Sequence, residues 1–230
     1  MSEAVIEVGK RHIREINEEI QAACAAGKKV IVRNTLSRHN LGVGLPEGAD
    51  VTFEGSVGYY CGGLNDGATV SIERNCGWAV GEGMSHGHIT VGGYAGMSAG
   101  AAMINGTIHI KGDAGPRCGV AMKGGNIIVE GKIGYQSGFM AHAGRIIALG
   151  GAGHSCADAL WQGEVWVAGD VESLGVDVNV VEPTAEEVAE VDEILKPLGL
   201  ADSSRNWRKM ISGQRLWYFE SRDASAWLMI

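Results

Sequence analysis

Glycine recurs along this chain at a constant interval of 19 residues, and this period constrains the fold more than any other feature. One column of the repeat holds Gly58, Gly77, Gly96, Gly115, Gly134 and Gly153. A second column holds Gly62, Gly81, Gly100, Gly119 and Gly138, and it ends at Ala157. Two further columns follow the same period, and in one of them an extra residue between Gly67 and Gly87 shifts the register once. Aligned columns of this kind indicate a repeat architecture.

Each copy of the repeat contains a short run of alternating apolar residues, such as Ile108 and Ile110. Alternation predicts a half-buried strand, and glycines at every three to six positions leave no room for a helix inside the unit. Units made only of strands and turns must coil so that equivalent strands stack in parallel, about 4.8 Å apart. The sequence therefore predicts an all-β fold, a right-handed parallel β-helix of about seven 19-residue coils with flanking α-helices and an extended C-terminal tail.

Charged segments flank the glycine-rich centre, and they predict caps for the two open ends of the solenoid. We predict an N-terminal helical cap over residues 1–29, the β-helix over residues 30–182, and a C-terminal helix with a partner-docking tail over residues 183–230. A stripe of isoleucines precedes Gly27, which is a typical helix stop. At the other end, Thr184 and Glu187 have the spacing of a capping box, which predicts the start of a helix.

The composition excludes several classes of protein. With 45% hydrophobic and 20% charged residues, the chain does not resemble a disordered protein. A net charge of −8 argues against a nucleic-acid binder, which needs a basic surface. No apolar run reaches the roughly 18 residues of a membrane span, and the N-terminus lacks the order of a secretory signal. We therefore expect a soluble, cytoplasmic protein.

The residues that could carry chemistry form no catalytic or metal-binding pattern. The five cysteines include no Cys-x-x-Cys pair, and four of them fall in columns of small residues, which predicts buried thiols. His86 and His88 could chelate a metal weakly, but their column mates are ordinary polar residues, which favours solvated side chains. Asp113 and Lys132 lie one coil apart and are expected to be surface partners. We predict no catalytic, cofactor-binding or metal-binding residue in this chain.

The C-terminal segment combines basic and aromatic residues on an otherwise acidic protein. Residues 205–215 contain four basic residues and no acidic one. Three of the six tryptophans also lie in the last 24 residues. The segment can fold back over the solenoid or dock on a partner, because Trp and Arg are enriched at interface centres. The candidate interface residues are Trp207, Arg208, Trp217 and Trp227.

The repeat unit resembles the GXGXG β-helix domain, as in the segment Met122-Lys-Gly-Gly-Asn-Ile-Ile-Val-Glu-Gly131. The resemblance covers roughly residues 30–182. This domain forms the C-terminal part of the glutamate synthase large subunit, and it also occurs as one of the subunits of formylmethanofuran dehydrogenase. A stand-alone chain with an ending such as Leu216-Trp-Tyr-Phe-Glu is most similar to the small subunit of split glutamate-synthase-like enzymes, which include N-methylglutamate synthase.

The resemblance implies a structural subunit that carries none of the catalytic groups of its complex. The implied partners are a class II glutaminase-like subunit and an FMN-binding glutamate-synthase-like subunit, so FMN and an iron–sulfur cluster would belong to a partner. The implied reaction converts methylamine and L-glutamate to N-methyl-L-glutamate and ammonia. Two alternatives stay open, a scaffold in a formyl-transferring complex related to formylmethanofuran dehydrogenase, and a β-helix enzyme that acts at an oligomer interface.

Overall fold

The structure is a computed structural model that describes residues 2–214. Within this range, eleven strands form one sheet, and two α-helices and a short 3-10 helix accompany it. The strands are β1 (Glu3–Glu7), β2 (Lys29–Arg33), β3 (Asp50–Phe53), β4 (Asp66–Ile72), β5 (His86–Val91), β6 (Thr107–Ile110), β7 (Lys123–Val129), β8 (Ala143–Ala148), β9 (Glu164–Val167), β10 (Val178–Val181) and β11 (Arg208–Ser212). The helices are α1 (Ile13–Ala25) and α2 (Ala185–Leu195), and the 3-10 helix is Lys196–Leu198.

Strands β1 to β9 follow one another in the sheet and pair in parallel, as the glycine period predicts. From β3 to β9 the paired residues are 19 apart, except for the pairs Asp66–His86 and Lys123–Ala143. Ile89 therefore lies beside Ile108. A second ladder of parallel single-residue bridges, which includes the pair Cys76–Ala95, joins the coils on another side. The extra residue of the sequence is absorbed as an irregularity between Asp66 and Thr69 in β4. The prediction of a parallel β-solenoid of about seven 19-residue coils is therefore confirmed.

The glycine column that begins at Gly62 exists because the core leaves no space for a side chain there. Gly100 has φ +67°, and a Cβ atom on it would lie 2.5 Å from Cδ1 of Ile127. Other glycines of the column face an isoleucine or valine of the next strand in the same way. The column ends at Ala157, because the strand beyond β9 in the sheet is β11, which is not part of the repeat. The absence of a side chain at these glycines leaves room for an isoleucine or valine side chain of a later coil.

The N-terminal helix covers the first edge of the solenoid. Its side chains Ile16 and Ile20 are fully buried in the solenoid core. The Asn17 side chain accepts a hydrogen bond from the Gly42 amide (2.9 Å) and donates one to the Asn40 carbonyl (2.7 Å). These bonds satisfy backbone groups that have no preceding coil to pair with. The sequence predicted a helix in this segment but not the strand β1 ahead of it, which pairs with β2.

The C-terminal elements cover part of the outer face of the sheet. Helix α2 begins at the predicted capping box, in which Thr184 and Glu187 exchange hydrogen bonds of 2.9 and 3.2 Å. Its buried residues Val191 and Leu195 belong to a second hydrophobic cluster with Trp166 on the outer side of β9. Strand β11 then inserts between β9 and β10 and runs antiparallel to both. The sequence did not predict this reversal of direction. Neither helix of the described residues has the length and apolarity required to cross a membrane.

Candidate interaction surfaces

One side of the solenoid is built from turn segments that repeat in every coil. We call the outward surface of these segments the turn face, and it comprises residues 59–64, 78–83, 97–102, 116–121, 135–140 and 154–159. In the third segment, Ser98, Gly100 and Ala102 all have positive φ, and equivalent residues in the other segments share this conformation. The first two residues and the last residue of each segment are at least partly exposed, while the third residue and the glycine after it (Ala157 in the sixth segment) are buried against the core. The repeated backbone conformation makes the exposed pattern the same in each coil.

The turn face is poor in charge and carries exposed aromatic residues. Its charged residues are Glu82, Arg117 and Asp158, three among the 22 positions that are not buried, although a fifth of the whole chain is charged. Tyr59, Trp78 and Tyr135 are 43%, 48% and 50% exposed, and Leu64 and Met140 are exposed beside them. Depletion of charge together with exposed aromatic rings is the composition of an interface core rather than of a solvated surface.

The aromatic residues of the turn face lie at one corner of the coils. The rings of His39 and Tyr59 stack at 4.3 Å, and those of Tyr59 and Trp78 stack at 4.8 Å and are 7° from parallel. Nδ1 of His39 accepts a hydrogen bond from the Tyr59 amide (2.8 Å), which fixes the orientation of the imidazole. The spacing between stacked rings matches the spacing between coils. The stack is therefore held rigid by the solenoid, and the ring edges are presented to solvent.

A network of charges joins α2 and β11 to the sheet. Lys209, which has a buried side chain (7% exposed), binds Oε1 of Glu164 (2.7 Å) and Oε1 of Glu187 (2.6 Å). The other oxygen of Glu164 accepts hydrogen bonds from Arg145 (2.9 Å) and from the Trp166 indole (3.1 Å). Burial alone would raise the pKa of Glu164, but hydrogen bonds from Lys209 and Arg145 outweigh it and hold that pKa below its ordinary value. The network accounts for a buried lysine.

The pKa values of the two other groups in the network shift in the directions that favour ion pairing. Burial by itself lowers the pKa of Lys209, but its hydrogen bonds to Glu164 and Glu187 raise the pKa above the ordinary value of lysine. The pKa of Glu187 is lowered by the hydrogen bond from Lys209 and by the Thr184 amide. All three groups are therefore ionised at neutral pH, and their ion pairs connect α2, β9 and β11.

The predicted interface residues have different environments. Trp207 is only 5% exposed and its ring packs edge-to-face against Trp166 at a centroid distance of 6.0 Å, so this residue folds back on the chain. Arg208 is exposed, and its guanidinium donates a hydrogen bond to the Gly169 carbonyl. Trp217 and Trp227 lie outside the described residues. The turn face was not predicted from the sequence, although Tyr59, Trp78 and Tyr135 are separated by multiples of 19 residues, a pattern that indicates one shared surface.

Four of the cysteines are buried as predicted, and we call them the core thiols: Cys61, Cys76, Cys118 and Cys156. Burial raises the pKa of Cys76, Cys118 and Cys156 to about 12 and raises that of Cys61 well above its ordinary value. A thiolate is the nucleophilic and metal-binding form of cysteine. The core thiols therefore behave as small apolar residues that fill the solenoid.

The histidines and the acidic residues remain dispersed over the structure. His86 lies beside Asp66, with 3.2 Å between Nδ1 and the carboxylate, and His109 is paired with Glu130 at 2.9 Å. Asp113 accepts a hydrogen bond from the backbone amide of Lys132 (2.7 Å), a backbone contact in place of the expected contact between side chains. Within residues 2–214, no three His, Cys, Asp or Glu side chains lie close enough together to hold a metal ion.

Comparison with known families completes the description of the chain. The model of the GXGXG motif family matches residues 6–198, a range that covers the solenoid, α1 and α2. This chain belongs to the GXGXG motif family. The match begins within β1 and extends through α2, so it includes elements beyond the region in which the sequence analysis located the resemblance. A search of curated proteins found no match.

Proposed function

We propose that this chain is a non-catalytic scaffold subunit of a glutamate-synthase-like complex. The observation that carries the proposal is the family match over residues 6–198, which spans the solenoid together with both helices. The solenoid fits this role because its parallel ladders and interlocked glycine and isoleucine columns make it a rigid body.

The proposed complex contains a class II glutaminase-like subunit and an FMN-binding subunit, and it is N-methylglutamate synthase. In that reaction methylamine and L-glutamate give N-methyl-L-glutamate and ammonia. The scaffold would hold the two active-site subunits at a fixed separation, while FMN and an iron–sulfur cluster would belong to the flavoprotein. Arg208 is the proposed partner contact among the described residues, and Trp217 and Trp227 stay predicted contacts, with a partner or with this chain.

Affinity purification tests the proposal directly. The chain, tagged at its N-terminus, is isolated from the organism that encodes it, and the associated proteins are identified by mass spectrometry and by flavin absorbance. We expect a glutaminase-like chain and a yellow FMN protein to co-purify in fixed ratio. A colourless homo-oligomer without these partners would refute the proposal, and its own catalytic activity would then be assayed. Co-purification of formyl-transferring subunits would instead identify the alternative complex, related to formylmethanofuran dehydrogenase.

A further inference from the structure

The turn face exposes aromatic side chains that no other described element of the chain covers. Helix α2 packs elsewhere, on the outer side of the strands around Trp166, and strand β11 lies in the sheet between β9 and β10. The turn face keeps Trp78 and Tyr135 about half exposed, and its six segments contain only three charged residues. An apolar, charge-poor surface of this extent gains free energy when another apolar group excludes water from it.

The described part of the chain ends beside this surface. The Gly213 amide donates a hydrogen bond to the Asp177 carbonyl (2.7 Å), and the Gln214 side chain donates one to the Asp177 carboxylate (2.8 Å). Val176, the residue before Asp177, is 68% exposed, and its amide donates a hydrogen bond to the carboxylate of Asp158 (2.8 Å). Asp158 belongs to the sixth segment of the turn face. Gln214, the last described residue, therefore lies at the C-terminal end of the turn face.

The chain beyond Gln214 has the length to cover the turn face. Residues 215–230 are 16 residues, and an extended chain of that length can reach roughly 53 Å. The distance from Val176 to the first turn segment is six coil spacings, or about 29 Å. Trp217 lies three residues beyond Gln214, and three extended residues span about 10 Å, or two coil spacings, which reaches the Met140 end of the fifth turn segment. Trp227 could reach any of the other segments. The segment can therefore span the whole surface.

The chemistry of this segment matches that of the turn face. Eight of its 16 residues are large apolar or aromatic: Leu216, Trp217, Tyr218, Phe219, Trp227, Leu228, Met229 and Ile230. Its four charged residues are two arginines and two acids, so its net charge is zero. The segment would therefore bring no net side-chain charge to be desolvated, and the turn face has a net charge of only −1.

We infer that residues 215–230 bind along the turn face of the same chain and cover its aromatic corner. The inference goes beyond the proposed function and does not depend on it. Attachment through Gln214 and Asp177 makes the contact intramolecular, so the effective concentration of the segment is high and a modest contact area suffices. A second copy of the chain and a different protein are the competing occupants of the surface.

Site-specific photocross-linking of the full-length chain tests this inference. The photoreactive amino acid p-benzoylphenylalanine replaces Trp78 in one variant and Tyr135 in another, both of which are exposed aromatic positions. The matched control carries the same amino acid at Lys111, an exposed position just after β6, on the corner between the strands and the bridge ladder. After irradiation, the products are separated on a denaturing gel and the linked peptides are identified by mass spectrometry.

We expect both turn-face variants to yield intramolecular cross-links to residues 215–230, and the Lys111 variant to yield none. Cross-links that join two chains would overturn the inference in favour of a dimer. Absence of cross-links to the C-terminal segment at both positions would also overturn it. A variant at Val176 separates a third case, because cross-links from Val176 alone would mean that the segment covers the end of the solenoid instead.

A second measurement uses thermal unfolding and needs no artificial amino acid. Met140→Ser and Trp217→Ser are each expected to lower the Tm by about 2–4 °C, since each removes one partner of the same contact. If the two residues lie in one interface, the double variant loses clearly less than the sum of the single losses. Additive losses contradict the placement of the segment beside Met140.

Discussion

Replacement of Gly100 by alanine probes the interlocking of glycine and isoleucine that fills the solenoid. Gly100 has φ +67°, a conformation that costs an alanine about 1–2 kcal/mol. The new Cβ atom would also lie 2.5 Å from Cδ1 of Ile127 and 3.2 Å from Cδ1 of Ile108, both inside the core. Overpacking of a core costs about 1–3 kcal/mol. We expect Gly100→Ala to lower the free energy of unfolding by about 3 kcal/mol and the Tm by roughly 6–12 °C.

The control for this experiment is Gly27→Ala, because Gly27 has the same φ of +67° but no atom within 4 Å of the position that a Cβ would occupy. It should show only the backbone cost, about 1–2 kcal/mol. The compensating variant is Ile127→Val, which removes the Cδ1 methyl group and by itself costs about 1 kcal/mol. Together with Gly100→Ala it should cost about 2 kcal/mol in total, less than Gly100→Ala alone, because the clash is relieved.

Urea denaturation followed by circular dichroism measures these free energies of unfolding, and an unchanged slope confirms that the variants unfold over the same surface. If Gly100→Ala costs no more than Gly27→Ala, the steric explanation of the glycine column is wrong. The same conclusion holds if Ile127→Val adds its full cost to that of Gly100→Ala. In that case the column would reflect backbone conformation alone.

Three further predictions concern the charge network and the thiols. Lys209→Met leaves the Glu164 and Glu187 carboxylates without their shared cation, and urea denaturation should report a loss of roughly 2 kcal/mol, whereas Lys209→Arg should lose less. The pKa values of both glutamates are lowered in the folded state, so their stabilisation is complete above about pH 4.3 and is lost as the pH falls through the lowered values. Between about pH 5 and about pH 3 the native chain should therefore lose more stability than Lys209→Met, and equal losses would argue against the network. A thiol-specific reagent should modify Cys24 alone in the folded protein and all five cysteines after denaturation; fast modification of a core thiol would show that the solenoid opens.

The sequence was sufficient to predict the solenoid because its physical determinants are local and periodic. Each glycine column requires a contact with the next coil, so the 19-residue period reports tertiary structure directly. The capping box at Thr184 and the buried cysteine columns were read from the same kind of short-range pattern. These elements need no knowledge of distant residues.

The elements outside the repeat depend on contacts that the sequence does not display. Lys209 reads as one base of a basic segment, yet it is buried because Glu164 and Glu187 reach it from elements that precede it in the chain. Its strand β11 has no period to reveal it, and its antiparallel pairing with β9 is decided by this network and by Met210 in the core. The turn face was missed for another reason. Its exposed aromatics recur with the repeat, but a hydrophobic pattern alone does not separate them from the buried apolar residues of the same coils.

The constant register between coils gives the molecule a length that changes only in fixed increments. Addition or loss of one whole 19-residue unit would move the two ends by a single strand spacing, about 4.8 Å, and would leave the lateral position of both ladders unchanged. A single inserted residue has a different outcome, since the irregularity between Asp66 and Thr69 absorbs it within one coil and the overall length stays the same. The distance between two points on the surface of the solenoid can therefore be altered by whole coil spacings but not by smaller steps.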